Sequence, residues 1–590
     1  MNNFKDFQIG KTTDLIGKPI KEKNGESRMN VGIKGNLKFP LKTAATLFAL
    51  SLVLSACGSS DSEGTAQGSD SAEISNVIVH HQNGEPGSLD PARAEQGEKG
   101  EAFIDNVYER LLDVGLDGPE LIPSLATTVP TQENNLVSQD RLTYTFPLRE
   151  GVVFHDGTTF TAEDVVFSWQ RAMTMNLPEG QAAALVDSVA SMKAVDDFTF
   201  EVKLKEPDAS FLYSVVLNAV ASVVSPEAVE ANGGVVADTP SEWMDTNMVG
   251  SGPYVFENWK RGESLSITVN ENYWGTKANN DVRWDITPEE SSRVLALRAG
   301  DADIIDISPS NVSDLEGVEG VTIFENGLLL EPIHLGFNMR SNSLPKDDTI
   351  PSNFFADKKI RQAFNYAFDN DTYINSFLDG YGARYTAYIP QGVFGYDATA
   401  PIYNYDPAKA TELLKQTEYW EKGFTVSILV QAGEPEFEGV ALLMKDGIEK
   451  LNPKFKINVV NQAETQFDEN LGADPVPYAL WVKNADPGAD PHQFFDPHQH
   501  PDGDWGTKHG FRDAYEDPDR VAKLIDSGKA TINPQERLAI YSELQRILFE
   551  DPMWVYAAQE GLAYPYRSAL NGFTVNPLWR GPHYEYYSKG

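Results

Sequence analysis

The chain has 590 residues, 41% of them hydrophobic, and its 87 acidic and 48 basic residues give a formal net charge of −39. A single core stops growing beyond roughly 250–300 residues, so a chain of this length predicts two or three packed units. The negative charge would repel a polyanion and excludes nucleic acid as a partner, and the single cysteine excludes an intramolecular disulfide.

The N-terminal segment has the order of residues that is typical of a secretory signal. Three lysines, the first at Lys34, precede an apolar run over residues 43–56. This run is shorter than the ~20 apolar residues that a membrane-spanning helix needs. Residues 1–28 come before the signal and match no part of it, so Met29 is an alternative start. We assign residues 1–56 to an N-terminal extension and a signal peptide.

The single cysteine stands at the end of this apolar run. Leu54-Ser55-Ala56-Cys57 resembles the lipobox of bacterial lipoproteins. The resemblance implies cleavage before Cys57, attachment of lipid to its thiol, and anchoring at the membrane surface without a spanning helix. A buried apolar cysteine is the alternative interpretation. Residues 58–73 are rich in Ser, Gly, Asp and Glu and have too little apolar surface to fold, so residues 57–76 predict a flexible linker.

The stretch over residues 142–173 contains a strand, a turn and the start of a helix. Its first residues alternate as a strand does, and His155-Asp156-Gly157 is a turn sequence. Thr161 stands at the helix N-terminus, with Glu163 and Asp164 in the first turn, where acidic residues suit the helix dipole. The histidine and the three acidic residues could instead form a metal or acid/base cluster. Because turn and cap chemistry explains all four, we predict structural roles for them.

Sequence blocks in the order of a known family run along the chain from residue 77. The block YTFPLREGVVFHDGTTFTAEDVVFSWQR at residues 144–171 is similar to a segment of the peptide-binding, or family 5, solute-binding proteins of bacterial ABC importers. Further blocks that resemble this family are EPGSLDPARA, NVYERLLDV, GSGPYVFENWKRGESLSITVNENYWG, LRAGDADIIDI, DKKIRQAFNYAFDNDTYI and NPQERLAIYSELQRILFEDP. The resemblance covers essentially all of residues 77–590.

The resemblance implies an α/β fold of the periplasmic-binding-protein type. This fold is a clamp of two α/β lobes joined by two hinge strands, with a small inserted lobe. The residue pattern agrees, because strand-like runs at residues 425–430 and 456–460 alternate with amphipathic helices such as the one over residues 537–549. By analogy, the chain divides into lobe I at residues 77–105, 246–330 and 562–590, inserted lobe II at residues 106–245, and lobe III at residues 331–561.

The resemblance also points to residues that would hold a ligand. Peptide binders of this family pair an aspartate in a W-x-x-D segment with the α-amino group of the ligand. Here the segment begins at Trp481, but Asn484 stands three residues later and the nearest acidic residue is Asp486. Either Asp486 takes the role in a longer loop or the amine site is missing. Glu85, in the first family block, is a further candidate for lining the cleft, and an exposed turn residue is its alternative interpretation.

Two other functions are weighed against peptide binding. His492, His498 and His500 lie close to acidic residues and could bind a metal chelate, but the nearby prolines and glycine favour a surface loop with solvated histidines. A tethered hydrolase would need a nucleophile and a base in a recognisable frame, and the sequence contains no GxSxG, HExxH, GxxxxGK[ST] or paired CxxC motif. We therefore predict no catalytic residues, no bound metal and no cofactor.

The sequence as a whole predicts an extracytoplasmic, lipid-anchored monomer that captures a small ligand, most simply a peptide, by hinge closure. Closure is favoured when the ligand contacts both lobes only in the closed form. The closed form would then dock on the permease of an ABC importer, beside which the anchor and the linker hold it. A sensory lipoprotein of the same fold that serves no importer is not distinguished by the sequence.

Overall fold

The computed structural model describes residues 76–94, 99–116, 118–177, 181–341, 343–385, 388–485, 488–579 and 581–590. The predicted signal peptide, the predicted lipidation site Cys57 and nearly all of the predicted linker lie outside the described residues, and so does Asp486. Within the described ranges, no helix has both the length and the apolar character to cross a bilayer.

The described residues form a mixed α/β protein. The strands are β1 (Val77–Gln82), β2 (Leu112–Val114), β3 (Leu121–Pro123), β4 (Thr143–Pro147), β5 (Val189–Asp196), β6 (Thr199–Leu204), β7 (Tyr254–Lys260), β8 (Ser264–Val269), β9 (Asp281–Ile286), β10 (Ile304–Ile305), β11 (Val321–Leu328), β12 (Ile333–Phe337), β13 (Gly382–Ala383), β14 (Phe424–Gln431), β15 (Phe455–Gln462), β16 (Leu480–Asn484), β17 (Trp554–Arg567), β18 (Leu570–Asn571) and β19 (Ser588–Lys589). The helices are α1 (Lys99–Val107), α2 (Ala162–Met175), α3 (Ala182–Ser188), α4 (Pro226–Ala231), α5 (Glu290–Ala299), α6 (Lys358–Ala367), α7 (Asn370–Phe377), α8 (Pro407–Leu414), α9 (Tyr419–Lys422), α10 (Pro435–Leu451), α11 (Glu464–Leu471), α12 (Pro491–Gln499), α13 (Asp504–His509), α14 (Phe511–Ala514), α15 (Pro518–Ala530) and α16 (Pro534–Glu550).

Most of the strands belong to one long mixed sheet. Its order is β15-β14-β16-β12-β17-β10-β1-β9-β8-β7, and β11 and β13 also pair with β17. β1 runs parallel to β9 and β10, and β14 runs parallel to β15 and β16. α5 connects β9 to β10 and α10 connects β14 to β15, as the crossover connections that parallel strands require. The sheet therefore contains two α/β halves that meet at β17.

β17 and the β11–β12 segment join the two halves. The first part of β17 pairs with β12, where Ala558 lies opposite Ile333, and its last part pairs with β11, where Arg567 lies opposite Val321. The two segments therefore cross between the halves side by side and in opposite directions. We call the half with β1 and β7–β10 the first lobe and the half with β12 and β14–β16 the third lobe. This pair of hinge strands between two α/β lobes confirms the predicted clamp.

A separate three-stranded sheet, ordered β4-β6-β5, forms the inserted lobe together with α2 and α3. Its core includes the fully buried side chains of Phe146, Trp169 and Phe200. The rings of Trp169 and Phe200 meet edge to face with centroids 5.2 Å apart. The apolar stripe of α2 therefore covers the sheet, as the helical spacing of its apolar residues predicts.

The four residues weighed as a metal or acid/base cluster, His155, Asp156, Glu163 and Asp164, lie in the turn before α2 and in its first turn. The backbone N–H of Thr161 donates to Asp164 at 2.6 Å, which caps α2, and Glu163 is exposed in its first turn. Asp156 accepts hydrogen bonds in the turn, and His155 Nε2 lies 3.1 Å from the carbonyl oxygen of Gly252. Burial lowers the pKa of His155 to about 4, so this histidine is neutral near pH 7. The structure therefore shows turn and cap hydrogen bonds at Asp156 and Asp164, as the sequence predicts.

One buried ion pair joins the inserted lobe to the first lobe. Arg171 on α2 donates to both carboxylate oxygens of Asp90, which lies in the segment after β1, at 2.9 and 2.5 Å. Asp90 is fully buried and Arg171 is 3% exposed. Asp90 belongs to the block EPGSLDPARA, and Arg171 belongs to the block at residues 144–171. These two family-like blocks therefore meet in space, and the ion pair between them fixes the position of α2.

Candidate functional site

The loops after several strands face each other between the first and third lobes. β10 pairs parallel with β1 and antiparallel with β17, so β1 points along the sheet toward the third lobe. β16 pairs antiparallel with β12 and parallel with β14, so β14 and β16 end on the side of the first lobe. In open α/β sheets, ligands bind outside the carboxyl ends of the strands. The facing carboxyl ends of β1, β14 and β16 therefore define a candidate ligand site between the lobes.

Glu85 lies in the loop after β1, at this site. Its side chain is half-buried, and Oε2 accepts hydrogen bonds from Trp259 Nε1 at 3.1 Å and from the Gly262 backbone N–H at 2.8 Å. Both donors belong to the β7–β8 hairpin, so the hairpin fixes the position of Glu85 on the first lobe. Its predicted contact with a ligand is not tested by this arrangement and stays a prediction.

Trp481 lies on β16 with its indole ring inside the third lobe. The side chain is fully buried and stacks on the His509 ring with centroids 4.1 Å apart. A Cβ atom on Gly336 would lie 2.3 Å from the Trp481 ring, so only glycine leaves room for the indole on the neighbouring strand. The structure therefore shows a core side chain here, and the predicted contact of Trp481 with a ligand stays a prediction.

Asn484, the last residue of β16, is turned toward the hinge. It is half-buried, and its Nδ2 donates to Glu331 Oε2 at 3.1 Å. Glu331 lies between the two hinge strands β11 and β12. At the position where the family segment has its aspartate, the structure therefore has the amide of Asn484, which is hydrogen-bonded to the Glu331 carboxylate. The other candidate, Asp486, lies outside the described residues.

At this end of the third lobe, Glu560 lies within electrostatic range of three other glutamates, and we call the four residues the glutamate cluster: Glu331, Glu434, Glu436 and Glu560. Glu560 lies in the middle of the hinge strand β17, where its carbonyl oxygen accepts the N–H of Leu329 at 2.9 Å. Glu434 and Glu436 lie at the start of α10, directly after β14. Glu436 is 6% exposed. Sequence reasoning missed the cluster because its members come from three distant segments that share no local motif.

Burial and the charges of neighbouring carboxylates raise the pKa values of Glu434, Glu436 and Glu560. Burial is the main cause for Glu560, and the charges of the other three members add to it, so its pKa rises to about 8. Burial and the charge of Glu434 raise the pKa of Glu436. Burial and the nearby Glu464 raise the pKa of Glu434, and only Lys99 acts against them. Glu560 is therefore partly protonated near pH 7, in a half-buried region where carboxylates outnumber cations.

The facing surface of the first lobe carries a cation that is already paired. Lys99, at the start of α1, donates to Asp306 at 3.1 Å, and His80 Nε2 lies 3.0 Å from the same carboxylate. Burial alone would raise the pKa of Asp306, but Lys99 and His80 outweigh it and hold the pKa well below its usual value. Because Lys99 is paired with Asp306, its charge neutralises the glutamate cluster only in part.

Two cavities lie between the lobes. One of about 230 Å³ has a mostly apolar lining that includes Leu116 from the inserted lobe, Pro577 from the first lobe, Leu328 and Leu330 from the hinge, and Gly392 from the third lobe. The other, of about 40 Å³, lies between polar residues of the first and inserted lobes and the start of α12. Hollows of about 450 and 760 Å³ lie at residues 232–247 and around residues 349–351 and 418–425, away from the hinge. We favour the interlobe cavities because the carboxyl ends of the strands meet there.

The predicted surface loop around the three clustered histidines is wrong. Asp490 caps α12 and Pro491 occupies its first turn, and the buried face of this helix includes His498, which is 1% exposed. Asp490 also accepts two hydrogen bonds of 2.7 Å from Arg537. Among the residues that the structure describes, no group of three or more His, Cys, Asp or Glu side chains could hold a metal ion. One face of this helix therefore packs into the core, while Asp496 is exposed.

The family model described as bacterial extracellular solute-binding proteins, family 5 Middle, matches residues 120–506. The chain belongs to this family. The match includes most of the inserted lobe, the hinge segment β11–β12, and the strands β14 and β16 that end at the candidate site. Membership of family 5 indicates a binding protein that works outside the cytoplasm, and it confirms the resemblance seen in the sequence blocks.

Individual family 5 proteins resemble the chain over nearly its whole length. "Heme-binding protein A" of Haemophilus influenzae is 28% identical over 91% of this chain and 97% of its own. "Dipeptide-binding protein" of Escherichia coli is 27% identical over 86% of this chain and 93% of its own. The solved structure of the periplasmic binding protein DppA from Helicobacter pylori in complex with the peptide STSA has a TM-score of 0.69 and 25% identity, and covers 87% of this chain and 97% of that one.

Proposed function

We propose that this protein is an extracytoplasmic lipoprotein that captures peptides by closure of its lobes and delivers them to the permease of an ABC importer. The observation that carries the proposal is the family 5 match over residues 120–506, which includes the hinge segment β11–β12 and the ends of β14 and β16. The peptide-binding names of relatives support a peptide as the ligand. The lipobox-like segment that ends at Cys57 supports the anchor.

Contacts across the cleft support a closing mechanism. The backbone N–H of Ala209, in the inserted lobe, donates to the carbonyl oxygen of Lys529, in the third lobe, at 2.9 Å. Lys529 Nζ also donates to Glu206 at 3.1 Å. The Glu206 side chain of this ion pair is exposed, and exposed ion pairs contribute little free energy. A ligand that contacts both lobes would therefore decide the balance between the open and closed forms.

Within this proposal, the loops at the strand ends contact the ligand. Glu85 on the first lobe and Asn484 on the third lobe lie at the facing ends of β1 and β16, and Asp486 follows in the same loop as Asn484. Trp481 would act through the backbone of β16, because its indole is buried. We place the lobe limits at residues 105, 245, 330 and 561, as the resemblance implies.

Hinge closure is tested with a pair of spin labels on opposite sides of the cleft. A chain with Cys57→Ser, Glu163→Cys and Lys523→Cys carries labels on exposed positions of α2 and α15. We expect a mixture of short peptides to shift the distance distribution toward shorter values, because closure brings α2 toward α15. A control pair within the third lobe, Lys409→Cys and Lys523→Cys, is expected to keep its distance. An unchanged interlobe distance at saturating peptide would contradict the mechanism.

A second candidate is the same clamp with a non-peptide solute. The name "Heme-binding protein A" of a relative at 28% identity favours this alternative over a tethered hydrolase. The spin-label experiment separates the two ligand classes when haem and a nickel–histidine chelate replace the peptides. Closure with either compound, and with no peptide, would favour the alternative.

A further inference from the structure

The interlobe cavity of about 230 Å³ has walls from every part of the clamp. Leu116, at the tip of the β2–β3 hairpin, comes from the inserted lobe, and Pro577 comes from the first lobe. Leu330 comes from the hinge and Gly392 from the third lobe. Because hinge closure moves these parts relative to one another, the cavity is complete only in the closed form. A group that fills the cavity would therefore contact all of them and favour closure.

The cavity adjoins the candidate ligand site at the strand ends. Leu330 directly precedes Glu331, whose carboxylate accepts the hydrogen bond of 3.1 Å from Asn484 at the end of β16. Leu330 is 3% exposed and Leu116 is 39% exposed, so the apolar lining extends from the interior of the hinge to the solvent. A solute held by the loops at the strand ends would therefore have an apolar hollow beside it.

The polar side chain of Asn576 in the wall of the cavity is already bonded within the chain. Its Nδ2 donates to the carbonyl oxygens of Gly115 and Gly118 at 2.6 and 2.8 Å, and its Oδ1 accepts the N–H of Leu578 at 2.9 Å. These bonds hold the hairpin tip of the inserted lobe against the first lobe. The Asn576 amide therefore has both of its N–H groups and one of its lone pairs occupied.

A second amide, Gln559, satisfies the backbone of two segments near the cavity. Gln559 is 1% exposed, and its Oε1 accepts the N–H of Gln391 at 2.8 Å. Its Nε2 donates to the carbonyl oxygens of Leu329 and Gln391 at 2.9 and 3.0 Å. Among the described lining residues, none has an ionisable side chain. A charged or amide group in the cavity would lose its water and find few free partners, so the wall favours an uncharged apolar group.

We propose that this cavity takes one apolar side chain of the captured solute, aliphatic or aromatic, and so selects peptides that carry one. The inference rests on the proposed function, because it names the side-chain class of the captured peptide. An apolar cavity of about 150 Å³ is large enough to bind benzene. At about 230 Å³, this cavity therefore has room for a leucine, methionine or phenylalanine side chain.

The test is a calorimetric titration of the full chain with Cys57→Ser. The probes are Ala-Ala-Ala and the three peptides that have one leucine in its place at the first, second or third position. We expect at least one leucine peptide to bind about tenfold or more tightly than Ala-Ala-Ala, because its added apolar carbons leave water. At that position, methionine should keep the gain, and glutamine, which has nearly the same shape, should lose it.

Two variants place a polar group in the cavity from different walls, Leu116→Asp on the hairpin and Leu328→Asn on the hinge. Leu538→Asp on α16 is the matched control, because Leu538 is 41% exposed and does not line the cavity. We expect both cavity variants to lose most of the leucine preference, while the control keeps it and all the proteins bind Ala-Ala-Ala equally. Melting temperatures measured in parallel show whether each variant is folded, and Leu116→Asp decides alone if Leu328→Asn unfolds.

The outcomes separate the inference from the proposed function. A leucine preference that is lost in the folded cavity variants and kept in the control supports the inference. No preference for any leucine peptide, equal binding of the methionine and glutamine peptides, or a preference that survives in a folded cavity variant would overturn it and leave peptide capture standing. Loss of the preference in the control would also overturn it, because the effect would not belong to the cavity. Binding of none of the peptides would overturn both the inference and the proposed function.

Discussion

Replacing Asp90 with alanine is expected to lower the free energy of unfolding by about 3–5 kcal/mol. Asp90 is fully buried, and its two oxygens accept both hydrogen bonds of the Arg171 ion pair. The substitution would leave the Arg171 guanidinium buried without its counter-charge, which is the most costly way to break such a pair. Urea unfolding followed by tryptophan fluorescence measures the loss of free energy, because Trp169 lies on the same helix as Arg171.

Two controls separate this effect from a general loss of charge. Glu271→Ala breaks an ion pair with Lys277 in which both side chains are exposed, and we expect it to cost less than about 1 kcal/mol. The double variant Asp90→Ala with Arg171→Met removes both charges and is expected to recover a large part of the loss, since an apolar replacement of a buried pair is often close to neutral. A loss below about 1 kcal/mol for Asp90→Ala alone would show that the pair does not hold α2 in place.

Replacing Cys57 with serine is expected to release the protein from the membrane completely. The lipobox-like sequence implies that the thiol carries the lipid, and each buried CH₂ group contributes about 0.8 kcal/mol of membrane affinity. Without these chains, the polar segment that follows offers no other anchor, because residues 58–73 are almost entirely small and polar. Fractionation of cells into membrane pellet and supernatant, with labelled palmitate, measures both the location and the lipid.

A variant that moves the thiol tests whether the sequence around it matters. Cys57→Ser combined with Ser60→Cys keeps one cysteine but places it outside the lipobox-like segment, and we expect it to stay unlabelled and soluble. A Cys57→Ser protein that remains in the pellet and keeps the palmitate label would show that the anchor lies elsewhere.

The parts of the fold that the sequence predicts correctly depend on local chemistry or on long similar blocks. A cap at Thr161 and Asp164 follows from residues three positions apart, and in the structure the backbone N–H of Thr161 donates to the Asp164 carboxylate. The clamp follows from the order of the blocks, and β17 and β11–β12 form the two expected hinge segments.

The parts that the sequence does not predict depend on contacts between distant segments. The glutamate cluster forms only when β17, the β11–β12 segment and α10 come together, and no spacing in the sequence announces this. The sequence does not show whether the Trp481 ring faces a ligand or the core. The packing of the ring against Gly336 and His509 shows that it faces the core. The segment from Asp490 was predicted as a loop because of its prolines, although Asp-Pro is also a common helix start.

The measurement that tests the account most directly is native mass spectrometry of the full chain with Cys57→Ser, mixed with a set of two- to five-residue peptides. The account predicts complexes of one chain with one peptide, and the peptides that are released on denaturation should have unchanged masses. Absence of any complex would contradict capture of peptides, and release of fragments would show an enzyme in place of a binding protein.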